Sequence, residues 1–277
     1  MRQFYVSDED RLSWSESGGE GLPAVFLHPT PLHGDYWQPM IAHLPGVRAL
    51  VPDLRGHGRS ELGQKLPAGA FARVPDAPVL SMAQLASDVL ALLDRLEVSA
   101  AVFAGCSIGG YVLLELWRRA PERVRGLIFV CSKPQPDPEA GLERRAATIA
   151  QARSQGVERL FDGMASALTG MTARRRRPAI VAEVRAQMTL SPQALVAVQA
   201  GLAMRPDSVP TVSSIAVPVL SIAGGEDPVV SAAEMEAFSA APGGCAGVVV
   251  PDAGHLAAYE QPEAIAARLE PWLRQFR

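Results

Sequence analysis

The segment Ala100–Cys131, AAVFAGCSIGGYVLLELWRRAPERVRGLIFVC, carries the fold in miniature. Its start, Ala100–Gly105 (AAVFAG), is apolar without polar alternation, as a strand buried on both faces must be. Ser107–Ala120 reads as a helix, and Pro121 ends it. Arg125–Cys131 (RGLIFVC) is a second apolar run of strand length. Strand, helix and strand in this order predict a parallel crossover unit. At the first junction stands Gly105-Cys106-Ser107-Ile108-Gly109-Gly110. A G-x-S-x-G pattern between strand and helix holds its serine on a tight, strained turn, where the oxygen projects beyond the sheet. The flanking glycines let strand and helix approach, and the helix N-terminus favours negative charge nearby. Cys106 fails as a rival nucleophile, because positions 104 and 108 would have to be glycine and are Ala104 and Ile108.

The same rhythm extends in both directions. Pro23–His28 and Val47–Pro52 precede the segment as strands, and Val217–Ala223 and Ala246–Val250 follow it. Ser81 and Gln84 form a capping-box pattern ahead of Leu85, Val89, Leu92, Leu93 and Leu96 at helical spacing. Ser231 and Glu234 form a second one for a helix to Ala240, and Pro262–Phe276 reads as the last helix. A hairpin-like start, Arg2–Val6 and Arg11–Glu16, adds an antiparallel edge. The predicted fold class is α/β, a mostly parallel, doubly wound sheet of about eight strands. Between Lys133 and Pro210 strand-like runs vanish. Asp137-Pro138 and Ser191-Pro192 there look like N-caps followed by proline at the first helical position. The chain therefore divides into a core of residues 1–132 and 211–277 and an all-helical insertion, 133–210, expected to lie as a cap over the sheet ends.

Composition narrows the function. Across 277 residues, 26 Lys+Arg face 29 Asp+Glu, a net charge of −3, which gives a nucleic acid no purchase. The hydrophobic share of 48% and the charged share of 20% exclude a largely disordered chain. No apolar run reaches the ~18 residues that would span a bilayer. Met1–Asp10 lacks the apolar centre of a secretory signal. Cys106, Cys131 and Cys245 are few, odd in number and far apart, which fits neither a disulfide framework nor a zinc site. The expectation is a cytoplasmic protein acting on a small molecule, without metal or organic cofactor, as a monomer or a homodimer.

Serine needs a base. Of the five histidines, His28, His33, His43, His57 and His255, His43 reads as helical and has no chemical context, His57 falls in the Asp53-Leu54-Arg55-Gly56-His57-Gly58 loop, and His28 stands at a strand end as a loop organiser. His255 follows Pro251-Asp252-Ala253-Gly254, just past the C-terminal end of the last strand, where such sheets place catalytic groups. It is the expected base. The third group should be a carboxylate at another strand end. Asp227, in Gly224-Gly225-Glu226-Asp227-Pro228, fits, with Glu226 and Asp252 as alternatives. The order Ser107, Asp227, His255 is that of one known triad lineage.

Together these residues resemble the α/β-hydrolase superfamily over nearly the whole chain. The likeness includes His28, Asp53-Leu54-Arg55-Gly56-His57-Gly58-Arg59-Ser60, the turn at Ser107, Asp227, Ala253-Gly254-His255 and Glu260-Gln261-Pro262-Glu263. Within the superfamily the chain is most similar to small bacterial esterases and enol-lactonases, with non-haem perhydrolases close by. The dehalogenase and epoxide-hydrolase branches carry aspartate where this chain has Ser107. The resemblance implies a serine hydrolase that cleaves a small carboxylic ester or lactone through an acyl-enzyme, with Ser107, Asp227 and His255 as its triad. Carbon–carbon hydrolysis, perhydrolysis, acyl transfer or a ligand-binding receptor are alternative uses of the same fold. It also implies an oxyanion hole from the backbone N–H groups of Ile108 and Thr30. One departure bears on this. The family's first oxyanion loop usually reads His-Gly, whereas here it is His28-Pro29-Thr30-Pro31, and Pro29 has no N–H to donate. Met164, Met171, Met188 and Met204 are expected in ordinary packing more than in the pocket, Trp37 at the pocket or under a loop, and Arg174–Arg177 as a solvated helix end.

Overall fold

The structure, a computed structural model, describes residues 3–67 and 71–276. Its eight strands are β1 (Gln3–Ser7), β2 (Asp10–Glu16), β3 (Ala24–Leu27), β4 (Ala49–Pro52), β5 (Ala101–Cys106), β6 (Val124–Val130), β7 (Val219–Gly224) and β8 (Cys245–Val250). They form one sheet in the order β1-β2-β4-β3-β5-β6-β7-β8. The β1–β2 and β2–β4 pairs are antiparallel and all others are parallel, so the start of the chain makes the antiparallel edge its sequence predicts. Arg2, the first residue of that expected hairpin, lies outside the described residues.

The helices are α1 (Gln38–Ile41), α2 (Met82–Arg95), α3 (Ile108–Arg119), α4 (Glu139–Gln155), α5 (Glu158–Leu168), α6 (Met171–Arg176), α7 (Ile180–Ala186), α8 (Pro192–Ala203), α9 (Val209–Val212), α10 (Ala232–Met235), α11 (Ala257–Glu260) and α12 (Pro262–Leu273). Every residue of β3, β4 and β5 is buried, as continuous apolar strands between two helical layers must be. Chain direction across the sheet reverses at β3: β4 lies on one side of it and β5 on the other. Such switch points open a crevice at the C-terminal ends of the strands. His28–Thr30 and Ser107 follow β3 and β5 at that end.

All described residues between β6 and β7 are helical or connecting, α4 through α9. Small residues bring this insertion onto the core. Leu80 N–H donates to the Ala197 carbonyl at 3.0 Å, and a Cβ on Gly201 would strike the Leu80 carbonyl. Ser191 caps α8 as expected, its hydroxyl accepting from Ala194 N–H at 3.1 Å. Ser231 and Glu234 form the full capping box of α10. The box at α2 is half-built: Ser81 accepts from Gln84 N–H, but the Gln84 side chain reaches Asp8 and Asp88 instead.

Four expectations are corrected. Asp137 caps no helix; Pro138 takes the cap position of α4, and Asp137 is drawn away by Arg145 and Arg205. His43 lies in a turn after α1 rather than in a helix. The last helix ends at Leu273 and tightens into a 3₁₀ turn to Phe276. Met171 and Met204 are exposed, whereas Met188 is core and Met164 faces the cavity described below. Trp37 is fully buried against Phe26 and Tyr36. Arg174–Arg176 do form an exposed helix end.

Candidate active site

Ser107 sits at the junction of β5 and α3 with φ 52° and ψ −114°, a strained conformation for any residue with a side chain. Its N–H extends the β5–β6 ladder to the Val130 carbonyl at 3.1 Å, and its carbonyl accepts from the Ser132 hydroxyl at 2.9 Å. Glycine is required on both sides. A Cβ on Gly105 would run into the backbone of Gly109 and Gly110, and one on Gly109 into the Leu27 carbonyl. The turn is thus closed by β5, α3 and β3 together.

Asp227 and His255 meet across the ends of β7 and β8. His255 Nδ1 lies 3.0 and 2.9 Å from the two oxygens of Asp227. Burial pushes the Asp227 carboxyl up. Its contact with His255 and the Val229 and Val230 amides, at 2.7 and 3.1 Å, outweigh this and hold it below its ordinary value. An ionised Asp227 accepts from Nδ1–H and leaves Nε2 as the ring's free basic nitrogen. Ser107 and His255 both line one cavity of about 410 Å³, within the range of small-molecule sites. The alternative acids are engaged elsewhere. Glu226 accepts from the Thr172 N–H and hydroxyl at 2.8 and 2.6 Å, and Asp252 pairs with Arg176 at 3.0 Å.

Thr30 and Pro31 also line the cavity, and the Thr30–Pro31 peptide is cis. The Thr30 hydroxyl is held by His57. His57 Nδ1 faces the Arg55 carbonyl at 2.9 Å and so must carry the proton, which leaves Nε2 to accept from Thr30 Oγ1 at 2.9 Å. Burial lowers the His57 pKa to about 4, consistent with that neutral ring. His28 is wired alike: Nδ1 donates to the Pro29 carbonyl at 3.0 Å and Nε2 accepts from Leu54 N–H at 2.9 Å. The loop role expected of both histidines is their observed one. Ile108 opens α3, and the first amides of a helix have no acceptor within it.

Cys106 is fully buried, accepts from the Tyr36 hydroxyl at 3.3 Å, and has its thiol pushed up by burial, so it is no nucleophile. One group among the described residues has the closeness of a metal site, Cys131, Asp227 and His255, with ligand atoms within 4.8 Å of one another. Burial drives the Cys131 thiol well up, away from the thiolate a metal needs. The group is an Asp–His pair beside a neutral thiol.

Sequence reasoning missed the role of Glu260. Its carboxylate accepts from Gly254 N–H at 2.8 Å, Leu256 N–H at 3.1 Å and Gly170 N–H at 3.0 Å. It therefore clasps both flanks of His255 and the α5–α6 junction of the insertion. His255 N–H itself donates to the Leu168 carbonyl at 3.1 Å. The only signal was the Glu260-Gln261-Pro262 motif, noted for its resemblance without a mechanical reason.

Known proteins share this fold and sequence pattern over the whole chain. The 3-oxoadipate enol-lactonase 2 of Acinetobacter baylyi is 26% identical over 100% of this chain and 98% of its own. A thermophilic esterase from Thermogutta terrifontis, solved with malate bound, superposes with a TM-score of 0.87 at 29% identity, covering 100% of this chain and 99% of that one. The enol-lactonase from Burkholderia xenovorans superposes at 0.86 with 23% identity over 98% and 100% of the two chains, a likeness of fold. A family model described as an alpha/beta hydrolase family matches residues 24–268, and the chain belongs to that family.

Proposed function

We propose that the protein is a serine hydrolase that cleaves a small carboxylic ester or lactone through an acyl-enzyme. The observation that carries this is the shared cavity: Ser107 on its strained turn and His255, paired with Asp227, both line it. In the first step His255 Nε2 takes the Ser107 proton as Oγ bonds to the carbonyl carbon. Asp227 holds the ring in the tautomer that leaves Nε2 basic and stabilises the cation it becomes. The oxyanion is received by the N–H groups of Ile108 and Thr30. Each such donor is worth about 3 kcal/mol of barrier. The proton on Nε2 then passes to the leaving alkoxide as the C–O bond breaks. In a lactone that alkoxide stays tethered to the acyl group. Water, deprotonated by His255, releases the acid and restores Ser107. Relatives named esterase and enol-lactonase support this choice of bond.

The test is a panel of 4-nitrophenyl esters and simple lactones, run with wild type and Ser107→Ala, beside labelling by a fluorophosphonate. Wild type should turn over and label at Ser107, and the variant should do neither. Equal turnover by both proteins would remove the serine mechanism.

A further inference from the structure

The cavity that holds Ser107 and His255 is walled by charges that do not balance. Lys133, Asp137, Arg144, Arg145 and Glu234 all line it. Lys133 pairs with Glu234. Asp137 serves two cations at once, Arg145 and the buried Arg205, the latter at 2.7 Å. Arg205 lies behind the wall with its guanidinium 4.4 Å from the Tyr111 ring centre. Arg144 has no ion-pair partner among the described residues. On the wall itself three cations, Lys133, Arg144 and Arg145, meet two carboxylates, Asp137 and Glu234.

The Arg145 guanidinium is held in place. Arg145 also donates to Gln199 Oε1 at 2.8 Å, and Gln199 is itself a buried lining residue. Arg144 precedes Arg145 on α4 and is exposed, and both line the cavity. An isolated arginine on a helix surface is ordinary. This one shares a cavity with the nucleophile, and concave walls focus a field of one sign. Met164, Leu168 and Leu202 supply the apolar remainder of the wall, enough for a short alkyl segment between the two ends of a ligand.

We propose that the substrate carries a free carboxylate on its acyl portion, and that Arg144 receives it, with Arg145 adding to the positive field of the same wall. This rests on the ester-hydrolase reading given above and narrows it to anionic esters or lactones. A neutral acyl group of the same length leaves the excess charge uncompensated, and a carboxylate balances it.

A matched pair of substrates tests this: the mono-4-nitrophenyl ester of glutaric acid, which is an anion, and its 4-nitrophenyl methyl diester, which is neutral. In wild type the ratio of their kcat/KM values should favour the anion by about five- to tenfold, the range between an exposed ion pair and a charge-assisted hydrogen bond. Arg144→Gln should bring the ratio toward one, Arg144→Lys should keep most of it, and Arg144→Glu should invert it. Arg268→Gln, an equal loss of charge on the exposed side of α12, should leave the ratio as in wild type. A ratio that Arg144→Gln does not move overturns the proposal while leaving the esterase reading intact. Calorimetric titration of glutarate into Ser107→Ala separates the two readings from the other side. Arg144-dependent binding without turnover of either ester by wild type would sink the esterase reading and keep the anion site; absence of glutarate binding would count against the anion site itself.

Discussion

A single backbone dihedral, φ 52° at Ser107, sets the demands on its neighbours. The strain persists only because three elements close around it, and the closure needs hydrogen atoms where other residues carry Cβ. Gly109→Ala should therefore push α3 off the Leu27 carbonyl and destabilise the protein by about 1–3 kcal/mol, read by urea unfolding. A wild-type unfolding midpoint in that variant would refute the packing argument. His57 makes a second prediction. Burial drops its pKa from 6.5 to about 4, its hydrogen bond to the Arg55 carbonyl offsetting only part of that. Between these values the unfolded chain binds the proton and the folded one does not. Stability then rises with pH through this window: it is complete above about 6.5 and lost as pH falls toward 4. The full span is roughly 3 kcal/mol. Urea midpoints at pH 7 and pH 5 should differ in wild type and differ less in His57→Gln. Equal slopes in the two proteins would mean that the ring does not stay neutral.

What could be read at the level of elements divides by sequence distance. The β5–turn–α3 unit was legible because Gly105, Ser107 and Gly109 lie within five residues and steric need dictates each. Ser191 and Ser231 were legible for the same reason, a cap being a local contact. Asp137-Pro138 misled because the pattern is local but the winning partners, Arg145 and Arg205, are not. Glu260 was beyond reach in part for that reason, since Gly254 and Leu256 lie in the neighbouring His255 loop but the third amide, Gly170, comes from the insertion. Burial raises the Glu260 carboxyl, and those amides pull it back only in part. Glu260→Gln puts an amide NH₂ among N–H donors and strands at least one of them, at about 1–3 kcal/mol. Faster hydrogen exchange at Gly254 and Gly170, with kcat falling more than KM rises, is the expected outcome, because the His255 loop loses its clasp. Unchanged exchange at both glycines would show that Glu260 holds neither loop.

At the scale of the molecule, the alternation of strands and helices predicted the sheet, and the loss of strand-like runs after Lys133 predicted a helical insertion. How the insertion sits on the core was not legible, because its polar ties join residues far apart: Thr172 to Glu226 and Arg176 to Asp252. Inside the insertion, the pairing of Asp137 with Arg145 and Arg205 has a pH signature. Burial acts to raise this carboxyl, but Arg205 and Arg145 bring it from 3.8 down to about 2. A depressed carboxylate contributes stability that is whole above its unfolded value and disappears as pH falls through its folded one. The packing of α4 within the insertion should therefore hold at pH 4 and loosen as pH approaches 2. Pepsin, active across that range, reports it directly. In wild type the 133–210 segment should resist cleavage at pH 4 and become susceptible toward pH 2. Asp137→Asn, which leaves two guanidiniums facing each other without a countercharge, should be cut there already at pH 4. If both proteins follow one cleavage profile, apolar packing alone holds the helices of the insertion together at low pH, and Asp137 is a bystander to it.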